Sequence, residues 1–223
     1  MSTSLRRVLL TGFEPFGGDA FNPSWEVARA LDREVLAPGV VVESACLPCV
    51  FGEAIASLDE HLGAGAPPLM VVALGLAGGR AGLTPERVAI NIDDARIADN
   101  DGRQPVDRPV VPGAPAAYFS RLPIKAMVRA LQAAGLPAAV SNTAGTFVCN
   151  HLFFALMHRL ATRPALAGVR GGFVHLPWLP TQLAEHPGEP ALALADQVAG
   201  VRLLLRTALR VDTDIVEGGG ALH

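Results

Sequence analysis

Cys149 is the residue whose surroundings most clearly suggest catalysis. It lies within residues 141–152, between a short apolar run at residues 136–140 that is typical of the end of a buried strand and apolar residues that recur at helical spacing. Thr143 or Thr146 could serve as the N-cap of that helix. Cys149 would then lie in the first helical turn, where free N–H groups and the helix dipole favour an anion and should lower the pKa of the thiol. This placement predicts a nucleophilic cysteine, although cysteines more commonly serve as small buried apolar residues.

A thiol nucleophile needs a base, and His175 is the best placed of the six histidines. It lies near the end of a predicted strand at residues 172–177. His151 is two residues from Cys149 on the same predicted helix, so its side chain should point about 200° away from the thiol. The remaining histidines, which lie in amphipathic helices, in a proline-rich loop and at the last position, are His61, His158, His186 and His223.

The base in turn needs an orienting carboxylate, and three residues are candidates. Glu86 precedes a predicted strand at residues 87–92, and Asp93 and Asp94 follow it. Each has an ordinary alternative as a turn or surface acid. Spacing along the chain does not choose among them.

The composition predicts a globular protein that binds neither nucleic acid nor membranes. Half of the 223 residues are hydrophobic, 17% are charged, and the formal net charge is −3 without a basic stripe. The apolar run at residues 8–10 breaks at Thr11 and Gly12, so it is too short for a signal peptide. No stretch approaches the roughly 18 apolar residues of a membrane span. The three cysteines favour free thiols and a reducing cytoplasm over a disulfide framework.

Alternating strand and helix patterns predict one α/β domain over residues 1–223, with a twisted, mostly parallel sheet sandwiched between helix layers. The predicted strands are residues 8–10, 40–47, 69–74, 87–92 and 172–177 together with the run before Cys149; the predicted helices are residues 25–31 with Asn22 as cap, 51–62, 124–134, the segment after Cys149, and 191–209. Ligands bind beyond the carboxyl ends of such strands, so the loops after Leu10 and Leu74 should meet Cys149 and His175 there.

Two further stretches bear on function. Residues 93–114 form a long, polar, turn-rich loop, which in a compact domain is usually functional or an oligomer contact. Gly17 and Gly18 follow the first strand, but the G-x-G-x-x-G spacing of a dinucleotide loop is absent and phenylalanines crowd the place of a pyrophosphate. No group of metal ligands at the usual spacing is apparent, so no cofactor or metal is expected.

Three blocks of the chain carry a resemblance to a known family. They are residues 11–18 with 22–24, residues 78–80 with 86–91, and residues 141–151 with 175–177. With these blocks the chain resembles pyroglutamyl peptidase type I, also called pyrrolidone-carboxylate peptidase, a family of cytosolic cysteine peptidases. The similarity runs essentially end to end, and its motifs are long and therefore specific.

The resemblance implies an activity and a set of site residues. It implies removal of an N-terminal pyroglutamyl residue from peptides, with Cys149 as nucleophile, His175 as base and Glu86 as orienting acid. The residues that it implies for the substrate pocket are Phe13, Phe16, Asn22, Arg96, Ile97, Phe147 and Val148. It also implies a homo-oligomer, commonly a tetramer. The sequence departs from the family pattern at Leu76, where glutamine is frequent, and at Cys49, where threonine is common.

Two alternative functions compete with this interpretation. Cys46 and Cys49 form a C-x-P-C sequence between a predicted strand and helix, as in thiol–disulfide oxidoreductases. That hypothesis leaves the residues around Cys149 unexplained. The second alternative is a non-catalytic relative that only binds pyroglutamate, which the presence of Cys149, His175 and Glu86 argues against.

Overall fold

Most of the strands form one sheet in the computed structural model, which describes residues 5–220. The strands are β1 (Arg6–Phe13), β2 (Val35–Ala37), β3 (Val40–Leu47), β4 (Met70–Leu76), β5 (Thr84–Pro85), β6 (Val88–Ile90), β7 (Ala117–Phe119) and β8 (Arg170–Leu176). The main sheet has the order β2-β3-β1-β4-β8-β5. Its four inner strands are parallel, and the short edge strands β2 and β5 are antiparallel to their neighbours. The prediction of a mostly parallel sheet is confirmed.

Two helix layers cover the faces of this sheet. The helices are α1 (Pro23–Ala30), α2 (Glu53–Gly63), α3 (Ile124–Ala133), α4 (Val148–Thr162) and α5 (Leu194–Arg210). Helices α1, α3 and α5 pack together on one face, and α2 and α4 on the other. Strand β4 is buried on both faces because its side chains alternate between the two cores: Val71 joins the α2–α4 side, and Val72 joins the α1–α3–α5 side.

The start of α1 agrees with the sequence prediction in detail. Asn22 is its N-cap, with its side chain accepting a hydrogen bond from the Ser24 N–H, and Pro23 is the first helical residue. Proline suits this position because it has no N–H to leave unpaired. The predicted bounds of the other helices differ from the observed ones by at most three residues.

Two predicted strands are different in the structure. Residues 136–140 form no continuous strand; they run beside β5 through isolated bridges, Leu83 to Ala138 and Glu86 to Ser141. Leu136, Ala138 and Val140 are half-buried against the α1–α3–α5 core, and Pro137 and Ala139 are exposed. Their alanines and proline suggested burial, but this segment lies at the edge of the sheet. The predicted strand at residues 87–92 shortens to β6, which pairs with β7 in a separate two-stranded ribbon.

The carboxyl ends of β1, β4 and β8 lie side by side, and this edge holds the residues of interest. The register pairs Gly75 of β4 with His175 of β8. Among the described residues, no helix has the length and apolar character needed to cross a membrane.

Candidate active site

Cys149 is the second residue of α4, as predicted, but the helix is capped differently. Its N-cap is Phe147, which makes no side-chain cap hydrogen bond. The two threonines proposed as caps make other hydrogen bonds. The Thr146 hydroxyl donates to the Asp94 carbonyl, in the loop at residues 93–114, and the Thr143 hydroxyl accepts from the Gly145 N–H. The first N–H groups of α4 therefore have no intrahelical or threonine acceptor. They remain suited to an oxyanion beside the thiol.

The thiol of Cys149 packs against the end of β4. A Cβ atom added at Gly75 would lie 2.9 Å from Cys149 Sγ and 2.7 Å from Cζ of Phe173, so only glycine fits this position without displacement. Gly75 is the register partner of His175. The missing side chain in β4 thus lets the helix carrying Cys149 approach the strand carrying His175.

His175 pairs with one of the three candidate carboxylates. Its Nδ1 lies 2.6 Å from Glu86 Oε1, and both residues are buried. Asp93 instead pairs with His151, with 2.8 Å between Oδ2 and Nδ1, and Asp94 is exposed. The structure therefore selects Glu86 as the partner of His175, which spacing along the chain left open.

The pKa of Cys149 departs from the prediction. The thiol borders a cavity, yet burial, reinforced by the Glu86 carboxylate and opposed by Arg80, raises its pKa from 9.0 to about 12. A helix N-terminus contributes at most about 2 kcal/mol, or roughly 1.5 pKa units, so desolvation outweighs it. Burial also lowers the pKa of His175 below its usual 6.5, against the opposing effect of Glu86. At neutral pH the free site therefore holds a neutral thiol and a neutral imidazole.

Arg80 is a site residue to which the sequence analysis assigned no role. Its Nη1 lies 3.1 Å from Glu86 Oε1 and donates to Thr84 Oγ1 at 2.7 Å. Its Nη2 donates to the Thr143 carbonyl at 3.1 Å, in the loop that leads to Cys149. The position of Arg80 within a matching block was the only available signal, because nothing in its spacing predicts these contacts.

A cavity of about 230 Å³ opens beside the thiol. Its lining comprises Phe13, Phe16, Gly17, Asp19, Phe21, Asn22, Cys49, Leu76, Phe147, Cys149, Trp178 and His186. Four of the predicted pocket residues are thus brought together, along with both departures from the family pattern. The other three predicted pocket residues do not line the cavity. Arg96 and Ile97 are exposed on the loop at residues 93–114, and Val148, the first residue of α4, is wholly buried in the core. A larger groove of about 820 Å³ lies between residues 80–84 and 137–143 and is not lined by Cys149.

The side chain of Asn22 has one hydrogen-bonding capacity left for a ligand. Its Oδ1 accepts from both the N–H and the hydroxyl of Ser24, at 3.1 and 2.8 Å, and its Nδ2 donates to the Glu14 carbonyl at 3.0 Å. An amide has two donors and two acceptor lone pairs, so one N–H is free. Asn22 can therefore donate to a ligand carbonyl, whereas its acceptor oxygen is already used.

Asp19, Trp178 and His186 form a polar wall of the cavity that the sequence analysis missed. His186 stacks on Trp178, with 3.7 Å between ring centroids, and its Nε2 lies 3.0 Å from an oxygen of Asp19. Asp19, Glu185 and His186 place three possible metal-ligand atoms within 4.8 Å of one another. Residues 19 and 186 are too far apart in sequence for spacing to reveal the pair.

The C-x-P-C sequence lacks the geometry of a redox motif. Cys46 lies within β3, Cys49 follows the strand and faces the cavity, and both thiols are free. Burial, assisted by Glu14, raises the pKa of Cys46 to about 11 and raises that of Cys49 further. Reactive redox cysteines have lowered pKa values, so these two thiols are unsuited to disulfide exchange.

Comparison with known proteins gives a consistent result. A family model described as pyroglutamyl peptidase matches residues 6–211. The pyrrolidone-carboxylate peptidase of Cupriavidus taiwanensis is 59% identical over 97% of this chain and 99% of its own, and that of Escherichia fergusonii is 54% identical over 98% of this chain and its own full length. The crystal structure of pyroglutamyl peptidase I from Bacillus amyloliquefaciens matches with a TM-score of 0.91 and 43% identity, covering 96% of this chain and 99% of that one. A mutant pyrrolidone carboxyl peptidase from Pyrococcus furiosus matches with a TM-score of 0.86 and 38% identity, over 92% of this chain and 98% of that one.

Proposed function

Because the chain belongs to the pyroglutamyl peptidase family, we propose that it is a cysteine peptidase that hydrolyses the bond after an N-terminal pyroglutamyl residue, with Cys149 as nucleophile, His175 as base and Glu86 as orienting acid. The assignment of roles rests on one observation: the nucleophile and the base meet at Gly75, and the orienting acid holds the base. Cys149 Sγ packs on this glycine, His175 is its strand neighbour, and Glu86 holds His175 Nδ1.

The resting state of the site determines how the thiol is activated. Cys149 and His175 are both neutral there, so the proton passes from Sγ to Nε2 as the thiol attacks the pyroglutamyl carbonyl carbon. Glu86 fixes the ring so that Nδ1 carries a proton and Nε2 is free to accept one. Free N–H groups at the start of α4 stabilise the oxyanion.

The remaining steps follow from the same groups. The imidazolium of His175 returns its proton to the departing amine as the C–N bond breaks, leaving a pyroglutamyl thioester on Cys149. His175 then takes a proton from water as the water attacks the thioester carbon, and it returns that proton to the sulfur of Cys149 as the C–S bond breaks. This releases free pyroglutamate and restores the neutral thiol and imidazole, so the histidine serves as base and acid in each of the two half-reactions.

The cavity supports recognition of a neutral lactam. Phe13, Phe16 and Phe147 supply apolar walls that suit a compact uncharged ring. The free N–H of Asn22 is suited to donate to the lactam carbonyl. The acceptor for the lactam N–H falls to a group other than the Asn22 side chain, whose oxygen is occupied by Ser24. Arg96 and Ile97 remain candidates that would contact a bound peptide beyond the ring.

The test compares matched pyroglutamyl and prolyl amides of one fluorophore. Proline is nearly the same size, but it lacks the lactam carbonyl and carries a charged ring nitrogen in place of the neutral lactam N–H. Sites built on buried hydrogen bonds reject such analogues by roughly 10⁴ or more, whereas size alone gives about 10–200-fold. We expect kcat/KM to differ by at least about a thousandfold. A ratio below about a hundred would show that size alone selects the substrate.

The proposal also covers the oligomeric state and the cellular location of the enzyme. The resemblance supports a homotetramer, and three free cysteines support a cytoplasmic enzyme. The loop at residues 93–114 exposes the apolar side chain of Val106, which suits it to an oligomer contact. Light scattering after size exclusion tests this: we expect a tetramer, and a smaller species for Val106→Lys. A wild-type monomer at micromolar concentration would contradict it.

A further inference from the structure

Arg80 lies at the centre of a hydrogen-bonded network that reaches three parts of the site. Its Nη1 donates to Thr84 Oγ1 at 2.7 Å and lies 3.1 Å from Glu86 Oε1. Its Nη2 donates to the Thr143 carbonyl at 3.1 Å. A planar guanidinium presents several donors in fixed directions, which an ammonium group does not. One side chain thus joins β5, the buried carboxylate and the loop before the nucleophile.

The network holds His175 from two sides. Glu86 Oε1, which Arg80 contacts, is also the oxygen that lies 2.6 Å from His175 Nδ1. Thr84, which accepts from Arg80, donates its own hydroxyl proton to the His175 carbonyl at 3.4 Å, and the two residues are register partners in β5 and β8. Both the ring and the backbone of His175 are therefore supported through groups that Arg80 orders.

We infer that Arg80 is a positioning residue of the reaction, which fixes Glu86 against His175 and ties this pair to the loop that carries Cys149. The inference rests on the proposed function, because it assigns Arg80 a part in that triad. Arg80 does not line the cavity beside the thiol. It therefore acts through Glu86 and His175 and not on the substrate.

The positive charge of Arg80 also affects the pKa values of its neighbours, which can be measured separately from its hydrogen bonds. Glu86 is fully buried, and its Oε2 has no hydrogen-bond partner among the described residues. The charged or titratable groups that act on His175 are Glu86 and Arg80, with the Cys149 thiol nearby; Glu86 raises the pKa of His175 and Arg80 lowers it. Arg80 likewise lowers the pKa of Cys149. Removing this charge should therefore raise the pKa of both His175 and Cys149.

The experiment measures kcat, KM and the pH profile for Arg80→Gln and Arg80→Lys on a pyroglutamyl amide. In Arg80→Gln, the acid limb of kcat/KM should move to higher pH, and kcat should fall at least about tenfold with KM changed less than about twofold. Arg80→Lys keeps the positive charge but lacks the planar guanidinium with its several donors in fixed directions. The acid limb of kcat/KM for Arg80→Lys should match that of wild type, while its kcat should be several-fold lower. If Arg80→Gln fails to fold, the kcat of Arg80→Lys alone tests the positioning role, and a wild-type kcat would contradict it.

Arg87→Gln is the matched control. Arg87 tethers the same loop, since its Nε donates to Asn142 Oδ1 at 2.8 Å, and its Nη2 donates to the Gly219 carbonyl at 2.8 Å. Among the described residues, its side chain makes no hydrogen bond or ion pair with Glu86 or His175. Its acid limb should equal that of wild type. Alkylation of Cys149 by iodoacetamide at fixed pH, which needs no turnover, should slow in Arg80→Gln and not in Arg87→Gln.

The outcomes separate this inference from the proposed function. An inactive wild type, or an active Cys149→Ala, overturns the proposed function itself. An active wild type whose folded Arg80→Gln variant keeps the same acid limb and kcat overturns the role of Arg80 alone. An acid limb that moves equally in Arg87→Gln also overturns it, because loop tethering would then explain the shift.

Discussion

Replacing Gly75 with alanine should slow the reaction by displacing the nucleophile. The new methyl carbon would lie 2.9 Å from Cys149 Sγ and 2.7 Å from Phe173 Cζ. Comfortable contacts between such atoms are about 3.5–4.0 Å, so these side chains must move by roughly 0.6–0.8 Å or more. A misplacement near 1 Å costs about a hundredfold in an oriented reaction, and we therefore expect kcat to fall by about 10- to 100-fold.

The magnitude can be separated from loss of folding. Overpacking of this kind costs about 1–3 kcal/mol, which should lower the melting temperature by a few degrees and leave the protein folded at 25 °C. Gly168→Ala is the control, because a Cβ there meets nothing within 4 Å and the residue has an ordinary backbone conformation. Steady-state kinetics on a pyroglutamyl amide and circular dichroism supply the assays. A folded Gly75→Ala enzyme with wild-type kcat would refute the proposed packing of thiol, strand and base.

Three further predictions follow from the pKa shifts and the contacts. Because burial lowers the pKa of His175, which must be neutral to act as base, the acid limb of kcat/KM should lie below pH 6.5, and a limb above 7 would contradict this. Cys46→Ser should retain at least about half of wild-type kcat/KM, because Cys46 does not line the cavity; an inactive but folded variant would revive the redox hypothesis. Asp214→Ala should destabilise the protein by about 1–2 kcal/mol in urea unfolding, because the Asp214 carboxylate accepts from the N–H groups of Lys125 and Ala126 at the start of α3; an unchanged midpoint would show that this distant cap is dispensable.

The sequence predicted the parallel core of the fold because its signals are local. Strand β4 is apolar on both faces, and Asn22-Pro23 opens α1 with residues that suit a helix start. The short strands β2, β5 and β7 escaped prediction, since their two or three residues are defined by their partners and not by their own pattern. Residues 136–140 misled because only one side of the segment is buried: Leu136, Ala138 and Val140 pack on the core, while the other side is exposed at the edge beside β5.

The sequence predicted the site residues whose role follows from their local surroundings in the chain, but not the contacts between residues that are far apart in the chain. Cys149 follows from its place at a helix start. The choice of Glu86 over Asp93 required the structure, because only the fold shows that Asp93 faces His151. The pKa of Cys149 was predicted in the wrong direction, since burial by distant residues outweighs the local helix effect. The Asp19–His186 wall joins two remote loops, which no local pattern could reveal.

The most direct test of the account is to trap the acyl-enzyme on Cys149. A pyroglutamyl ester with a good leaving group is mixed with enzyme, quenched in acid within the first turnover, and the protein is mapped by mass spectrometry. We predict one pyroglutamyl adduct, located on Cys149, absent in Cys149→Ala and formed far more slowly in His175→Ala. An adduct on Cys49 or on any other residue, or undiminished hydrolysis by Cys149→Ala, would contradict the claim that Cys149 is the nucleophile.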